Sequence, residues 1–266
     1  MHAATTGGDA DTPIVALHSS GAGARQWASW QPWLPVGVRW IAPDLIGYGS
    51  DSAWRDGDAV SLDDEARRVA ATIDALARPV HLVGHSYGGA VALRVALHWP
   101  HLVQRLSLFE PVLFALLRDA DADAWRLITG VGHEIGALAR AGQAMASAAL
   151  FVDYWSGDGA WDALGAKRQQ AVASRMAKVS TEFDALFADE VGAVAYRRLR
   201  MPVRLAGGER SPLPARRVVA ALARTLPAVQ TLLLPGLGHM GPVESPGRVA
   251  DAFGLVTPAT VTLLAA

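Results

Sequence analysis

Six short, almost uninterrupted apolar runs limit the possible folds of this sequence more than any other feature. Runs of this kind, without polar alternation, are typical of strands covered on both faces in a parallel sheet. The predicted strands are Ile14–His18, Val38–Ala42, Val80–Gly84, Leu106–Glu110, Val203–Gly207 and Val229–Leu234. Helical periodicity marks the segments between them, at Arg25–Leu34, Leu62–Ala77, Ala90–Trp99, Pro214–Leu226 and Pro246–Gly254. This alternation predicts an α/β fold with a mostly parallel sheet and right-handed crossovers.

The alternation stops between about Phe114 and Arg200, where the sequence contains no convincing strand. We expect helices there at Asp123–Arg140, Gln143–Trp155, Lys167–Val179 and Thr181–Ala188. An all-helical insertion between two strands is best explained as a cap over the carboxyl ends of the sheet. The sequence therefore predicts a core of residues 1–114 and 200–266 and a helical cap at 115–199. The β-like tail Ala259–Leu264 is predicted to add a strand or cover an edge.

Composition excludes several classes of function. The 266 residues are 51% hydrophobic and 18% charged, with a formal net charge of −1 and no basic stripe, so neither nucleic acid nor an anionic membrane is an expected partner. There is no cysteine, which removes disulfides, thiolate metal sites and a cysteine nucleophile. No His/Asp cluster has ligand spacing and no phosphate-binding glycine loop is present, so we expect no metal and no cofactor.

Targeting signals are also missing from the sequence. Its first residues lack the basic and apolar regions of a signal peptide, and Glu110 interrupts the best candidate for a membrane span, Leu106 to Leu117. We therefore expect a cytoplasmic protein that does not associate with membranes. The expected partner is a small-molecule substrate, and the sequence does not predict the oligomeric state.

The most informative motif is Gly84-His85-Ser86-Tyr87-Gly88, between a predicted strand and a predicted helix. A serine on a sharp strand-to-helix turn stands exposed above the sheet at a helix N-terminus, where N–H groups favour negative charge. The flanking glycines let the neighbouring chain pass without a Cβ clash. Between this strand and this helix, the pattern indicates a nucleophilic serine rather than a packing turn.

Three further loops follow strands in the same order along the chain. They are His18–Gly23, Pro43–Ser50 and the Gly-x-Gly-His loop within Pro235–Met240. Together with the serine turn they resemble the α/β-hydrolase fold family from Ile14 to Gly254. The resemblance implies a three-layer α/β/α sandwich with a helical cap insertion. We expect the Asp44 loop to be structural and not catalytic, since an Asp and two glycines are what any tight loop uses.

The same resemblance implies particular roles for four residues. Ser86 is the expected nucleophile and His239, after the last strand, is the expected general base. The backbone N–H groups of Tyr87 and Ser20 are expected to form the oxyanion hole. Ser19 stands where relatives more often have glycine, which leaves the second donor less firmly assigned.

The acid of the triad is missing from its usual place. The family most often has an aspartate after the penultimate strand, and Ser211 occupies that position here. Three alternatives remain open: Glu209 reaches the histidine, the site is a Ser–His dyad, or Glu110 serves as the acid from the strand after the nucleophile. Some family members place their acid after that same strand. We favour Glu110, because an ionisable residue ending an apolar strand needs a partner.

A serine nucleophile predicts acyl transfer through a covalent acyl-enzyme, and hence hydrolysis of a small, largely apolar carboxylic ester. The alternatives are a lactonase, a thioesterase, a C–C bond hydrolase with the same triad, and a catalytically weak ligand-binding homologue. An aspartate nucleophile, as in dehalogenases and epoxide hydrolases, is absent. Candidate pocket residues are Trp27, Tyr154 and Trp155. Arginines that could bind a substrate carboxylate, or simply line solvated helix faces, are Arg118, Arg126 and Arg140.

Overall fold

A computed structural model describes residues 12–49, 54–55 and 58–256 of the chain. Within these residues six parallel strands form one sheet in the order β2-β1-β3-β4-β5-β6. The strands are β1 (Ile14–Leu17), β2 (Trp40–Ile41), β3 (Val80–His85), β4 (Val103–Phe109), β5 (Val203–Gly208) and β6 (Val229–Leu234). The expected α/β/α architecture is confirmed. The predicted strand at Ala259–Leu264 lies outside the described residues.

Helices cover both faces of the sheet and fill the segment between β4 and β5. The α-helices are α1 (Leu62–Asp74), α2 (Tyr87–His98), α3 (Leu117–Ala120), α4 (Ala122–Arg140), α5 (Ala144–Ser156), α6 (Ala166–Ala173), α7 (Met176–Ala188), α8 (Ala193–Tyr196), α9 (Leu213–Thr225), α10 (Gly241–Glu244) and α11 (Pro246–Ala252). A 3-10 helix at Ala24–Trp33, which contains Pro32, replaces the regular helix predicted there. Ser61 caps α1 in a reciprocal capping box with Asp64.

Alternate residues of each strand belong to two separate apolar clusters. Val15 and Leu17 face α1, α2, α9 and the helical insertion, whereas Ile14 and Ala16 face the 3-10 helix and α11. Since successive strand side chains point to opposite faces, the continuous apolar runs of β1, β3, β4 and β5 are the consequence of burial on both sides. The edge strands β2 and β6 contain no buried residue. The buried inner strands therefore provide a well-packed support for the loops that follow their carboxyl ends.

The helices of the insertion follow the predicted pattern, with one boundary misplaced. The sequence suggested a break between Val179 and Thr181, but the structure has a continuous α7 there and a break at Ser174–Arg175 instead. No glycine or proline marks that break. The side chain of Arg175 hydrogen-bonds the carbonyl groups of Gly21 and Ala22, so a tertiary contact, absent from local propensity, accompanies the break.

Candidate active site

The backbone of Ser86 has the strained conformation that its sequence context predicts. It lies between β3 and α2 with φ 55° and ψ −120°, a region that side chains other than glycine rarely adopt. Space for the turn depends on Gly88, because a methyl group there would overlap the carbonyl oxygens of Leu17 and His18. This conformation places Ser86 on a wall of the cavity described below.

A second strained turn lies beside the first, at the end of β4. Glu110 has φ 44°, and its N–H donates to the carbonyl of Ala206 at 3.0 Å. The Ser86 N–H donates to the carbonyl of Phe109 at 3.0 Å, so the two turns are directly hydrogen-bonded to each other. Neighbouring parallel strands thus bring Glu110 and Ser86 to the same edge of the sheet.

Ser86, His239 and Glu110 form a continuous buried chain of hydrogen bonds. The distance from His239 Nε2 to Ser86 Oγ is 2.9 Å, and that from His239 Nδ1 to Glu110 Oε2 is 2.6 Å. The other carboxyl oxygen of Glu110 accepts the N–H of Gly208 at 2.7 Å. Both carboxyl oxygens therefore have partners, as a buried acid requires.

This arrangement determines which nitrogen of His239 holds the hydrogen. A carboxylate only accepts hydrogen bonds, so Nδ1 carries the hydrogen that faces Glu110. Nε2 is then left with its lone pair directed at the hydroxyl of Ser86. The geometry can therefore move a proton from the serine to the histidine while the carboxylate stabilises the resulting imidazolium.

The two other candidates near the usual acid position do not contact His239. Glu209 is exposed, and its Oε2 accepts the N–H of Gly236 at 2.9 Å. Ser211 is buried, with a hydroxyl that has no hydrogen-bond partner among the described residues. The structure thus brings together Ser86, His239 and Glu110, and leaves Glu209 and Ser211 out.

Two further histidines hold backbone near this site. His85 Nε2 donates to the carbonyl oxygen of His239 at 2.8 Å, so the residue before the serine fixes the loop of the histidine. His18 Nε2 accepts the N–H of Leu45 at 3.0 Å, which ties the loop after β1 to the Asp44 loop. Burial lowers the pKa of both rings. The hydrogen bond accepted from Leu45 also requires a lone pair on Nε2 of His18.

The loop after β1 offers one backbone donor to the cavity. The N–H groups of Ser19 and Gly21 donate to Gln26 Oε1 at 3.0 Å and to Tyr48 Oη at 2.7 Å. Ser20 lies between them, lines the cavity, and has no such partner within the described segments. Tyr87 begins α2, where the first N–H groups have no partner within the helix. Neither expected oxyanion donor has a hydrogen-bond partner among the described residues, so both stay candidates for that role.

A cavity of about 720 Å³ lies between the sheet edge and the helical insertion, and Ser86 and His239 form part of its wall. Apolar side chains of the insertion form much of the remaining wall, including Phe151 and Trp155. The Trp155 ring is tilted against that of His239, with 4.1 Å between centroids. A ligand in this cavity would meet the serine within a mostly apolar enclosure.

Two of the three pocket candidates do not line the cavity. Trp27 is buried on the opposite face of the sheet, 4.8 Å from Trp30 between ring centroids, because the 3-10 helix turns it toward that core. Tyr154 packs edge-on against Trp155, the next residue, with 4.9 Å between ring centroids. Trp155 lines the cavity, whereas Tyr154 is not among the residues of its wall.

The arginines singled out from the sequence are also used elsewhere. Arg118 donates to the carbonyl oxygens of Phe187 and Asp189, while Arg126 pairs with Asp123 and Arg140 with Asp184. The arginines that do line the cavity are Arg25, Arg168 and Arg175. Sequence reasoning missed these three, since no local pattern distinguishes them from solvated arginines.

The described residues contain neither a candidate membrane span nor a candidate metal site. No helix in that part of the chain combines the length and the hydropathy needed to cross a membrane. Over the same residues, His, Asp and Glu side chains form no group of three or more that could hold a metal ion.

Comparison with known proteins agrees with this architecture. The sequence model of the alpha/beta hydrolase family matches residues 14–252, and the chain belongs to that family. Among solved structures, a hydrolase from Pseudomonas aeruginosa PA01 has a TM-score of 0.73 at 22% identity, covering 96% of this chain and 91% of its own. The alpha/beta hydrolase MGS-M2, from a Medee basin deep-sea metagenome library, has a TM-score of 0.75 at 16% identity, covering 96% and 93%.

Curated relatives match over a shorter stretch. The 2-hydroxy-6-oxo-2,4-heptadienoate hydrolase of Pseudomonas putida strain F1 is 38% identical over 107 residues, 39% of this chain and 38% of its own. The 2-hydroxymuconate semialdehyde hydrolase of Pseudomonas sp. strain CF600 is 38% identical over 117 residues, 41% of each chain. The matched stretch is thus about two fifths of the length of these relatives.

Proposed function

We propose that this protein is a serine hydrolase that cleaves a small, largely apolar carboxylic ester through an acyl-enzyme. The observation that carries the proposal is the hydrogen-bonded chain from Ser86 Oγ through His239 to Glu110, buried at one end of an apolar cavity. Nucleophile and base lie within hydrogen-bonding distance, and a third group orients the base. This is the arrangement that activates an otherwise weak hydroxyl nucleophile.

In the proposed reaction, Ser86 Oγ attacks the ester carbonyl as His239 Nε2 takes its proton. Glu110 stabilises the imidazolium, while the N–H groups of Tyr87 and Ser20 stabilise the negative oxygen of the tetrahedral intermediate. His239 then returns the proton to the leaving alcohol, which breaks the carbon–oxygen bond and leaves the acyl-enzyme. Water then attacks the acyl carbon as His239 takes its proton. The bond between that carbon and Ser86 Oγ breaks, the acid leaves, and His239 returns the proton to Ser86 Oγ.

A second candidate is hydrolysis of a C–C bond beside a ketone, which would use the same three side chains. Two observations favour it. The curated relatives described above are named for oxo-dienoate and muconate semialdehyde substrates. In addition, the cavity-lining side chains of Arg25 and Arg168 make no ion pair or hydrogen bond within the described residues, so they are available for a substrate carboxylate.

A turnover panel separates the two candidates. It contains p-nitrophenyl esters of increasing acyl length, lactones, thioesters and 2-hydroxy-6-oxo-2,4-heptadienoate, each measured with the native protein and with Ser86→Ala. We expect the highest kcat/KM on a short or medium apolar ester, with no turnover by the variant. A tenfold or greater preference for the dienoate would replace the first candidate by the second. Ser86-independent turnover would contradict both.

A further inference from the structure

The loop that carries Ser20 is held by the helical insertion as well as by the core. We call residues 19–23 the oxyanion loop. Its N–H groups at Ser19 and Gly21 bond Gln26 and Tyr48, both on the core side. Its carbonyl groups at Gly21 and Ala22 instead accept hydrogen bonds from a residue more than 150 positions away in the sequence.

That residue is Arg175, at the start of α7. Its Nη1 donates to the Gly21 oxygen at 2.6 Å and to the Ala22 oxygen at 2.7 Å. Hydrogen bonds from a charged donor are about twice as strong as those between neutral groups. One side chain of the insertion thus holds the Gly21–Ala22 and Ala22–Gly23 peptide groups, which lie one and two peptides beyond the one that joins Ser20 to Gly21.

The position of α7 is itself fixed against the core by a buried ion cluster. Lys178 and Glu182 lie four residues apart on one face of α7, and Arg175 directly precedes this helix. Lys178 Nζ is 3.1 Å from Glu182 and 3.2 Å from Glu65 of α1, and all three side chains are at most 2% exposed. Breaking such a cluster leaves a buried charge without a partner, so α7 cannot shift freely.

The cluster also reaches the tyrosine that contacts the oxyanion loop. The Lys178 ammonium lies 5.7 Å from the centroid of the Tyr48 ring, and the Tyr48 hydroxyl accepts the Gly21 N–H. Glu65 uses its other carboxyl oxygen, the one not facing Lys178, to accept a hydrogen bond from the N–H of Ile46. Burial raises the pKa of Glu65 to about 7. The Gly21 N–H is therefore bonded to a tyrosine that α7 contacts, and the Gly21 carbonyl is bonded to the arginine that precedes α7.

We propose that Arg175 is a positioning residue, which holds the oxyanion loop so that the Ser20 N–H faces the carbonyl oxygen of the substrate as it becomes negative. The inference rests on the proposed function. It makes the helical insertion part of the catalytic geometry as well as the cavity wall. Arg175 also lines the cavity, so the competing role is direct binding of an anionic substrate, which would affect KM.

The test compares Arg175→Met and Arg175→Lys with Arg197→Ala, which removes an exposed arginine elsewhere in the insertion. Displacing a reacting group by about 1 Å can cost about 100-fold in rate, so we expect kcat of Arg175→Met to fall by about that factor with KM within about twofold. Arg175→Lys keeps the charge and should lose about tenfold. Arg197→Ala should match the native protein.

A second readout distinguishes positioning from general damage. Phenylboronic acid forms a tetrahedral adduct on a nucleophilic serine, so its affinity should fall in parallel with kcat/KM while the thermal midpoint stays near the native one. Added guanidinium at non-denaturing concentration should restore part of the kcat of Arg175→Met. Should Arg175→Met misfold, the same comparison is made with Arg175→Lys.

Two results would overturn the inference: an unchanged kcat in both folded variants, or a raised KM with native kcat. Failure of the proposed function is recognised separately, because Ser86→Ala would then retain native turnover. If Ser86→Ala is inactive and Arg175→Met is fully active, only the role of Arg175 is wrong.

Discussion

Replacing Glu110 by glutamine is expected to lower kcat by about 10³–10⁴-fold, because the amide places the wrong tautomer on the histidine. The N–H of Gly208 needs an acceptor, so the amide oxygen takes that position. The NH₂ group then faces His239 Nδ1, which must accept, and the hydrogen moves to Nε2. A protonated Nε2 cannot take the proton of Ser86. Steady-state kinetics on the best ester of the panel gives the measurement.

Glu209→Gln and Ser211→Ala are the matched controls for this variant. The glutamine amide oxygen can still accept the Gly236 N–H that Glu209 accepts, and the Ser211 hydroxyl has no partner to lose in the described structure. We expect both to keep kcat within about twofold, since surface and unpaired groups contribute little. A large loss in Glu209→Gln with a mild effect of Glu110→Gln would reverse the assignment of the acid.

Gly88→Ala is expected to destabilise the fold by about 3 kcal/mol, because the new methyl group overlaps backbone that has no room to move. The overlapping atoms are the carbonyl oxygens of Leu17 and His18, where β1 ends. Helix propensity alone predicts the opposite sign, since alanine favours a helix over glycine by about 1 kcal/mol. The cost of the steric overlap exceeds that gain. Urea unfolding of the native and variant proteins measures the difference.

The control for this prediction is the same substitution in another helix. Gly130 lies in the exposed middle of α4, and a methyl group there meets nothing within 4 Å. Gly130→Ala is therefore expected to raise the free energy of unfolding by about 0.5–1 kcal/mol. If both variants changed stability in the same direction, the packing account of the serine turn would be contradicted.

The strand pattern and the serine turn could be predicted from the sequence because their causes are local. An apolar run indicates a strand that is buried on both faces. The glycines around Ser86 indicate a tight turn, because such a turn is sterically possible only when the neighbouring residues are small. The proximity of Glu110 to His239 followed from one further rule, that parallel strands end at the same edge. The position of α7 had no such local signal.

The features of the site that were not predicted from the sequence depend on contacts between residues far apart in the chain. Arg175 reaches the carbonyl groups of the oxyanion loop across 154 positions, and nothing near it in the sequence signals that contact. Trp27 is an aromatic residue of the kind that often lines pockets, yet the 3-10 helix directs its side chain toward the apolar core on the opposite face of the sheet. Tertiary packing decides whether an arginine or tryptophan side chain points into the cavity, and local sequence patterns do not show that packing.

The central claim is that Ser86 is the nucleophile, and covalent labelling tests it most directly. The native protein is treated with a fluorophosphonate, and the intact mass and the labelled peptide are determined beside Ser86→Ala. We predict rapid single labelling on Ser86 with parallel loss of hydrolysis, and no labelling of the variant. Labelling on another residue, or an unlabelled native protein that still hydrolyses ester, would contradict the account.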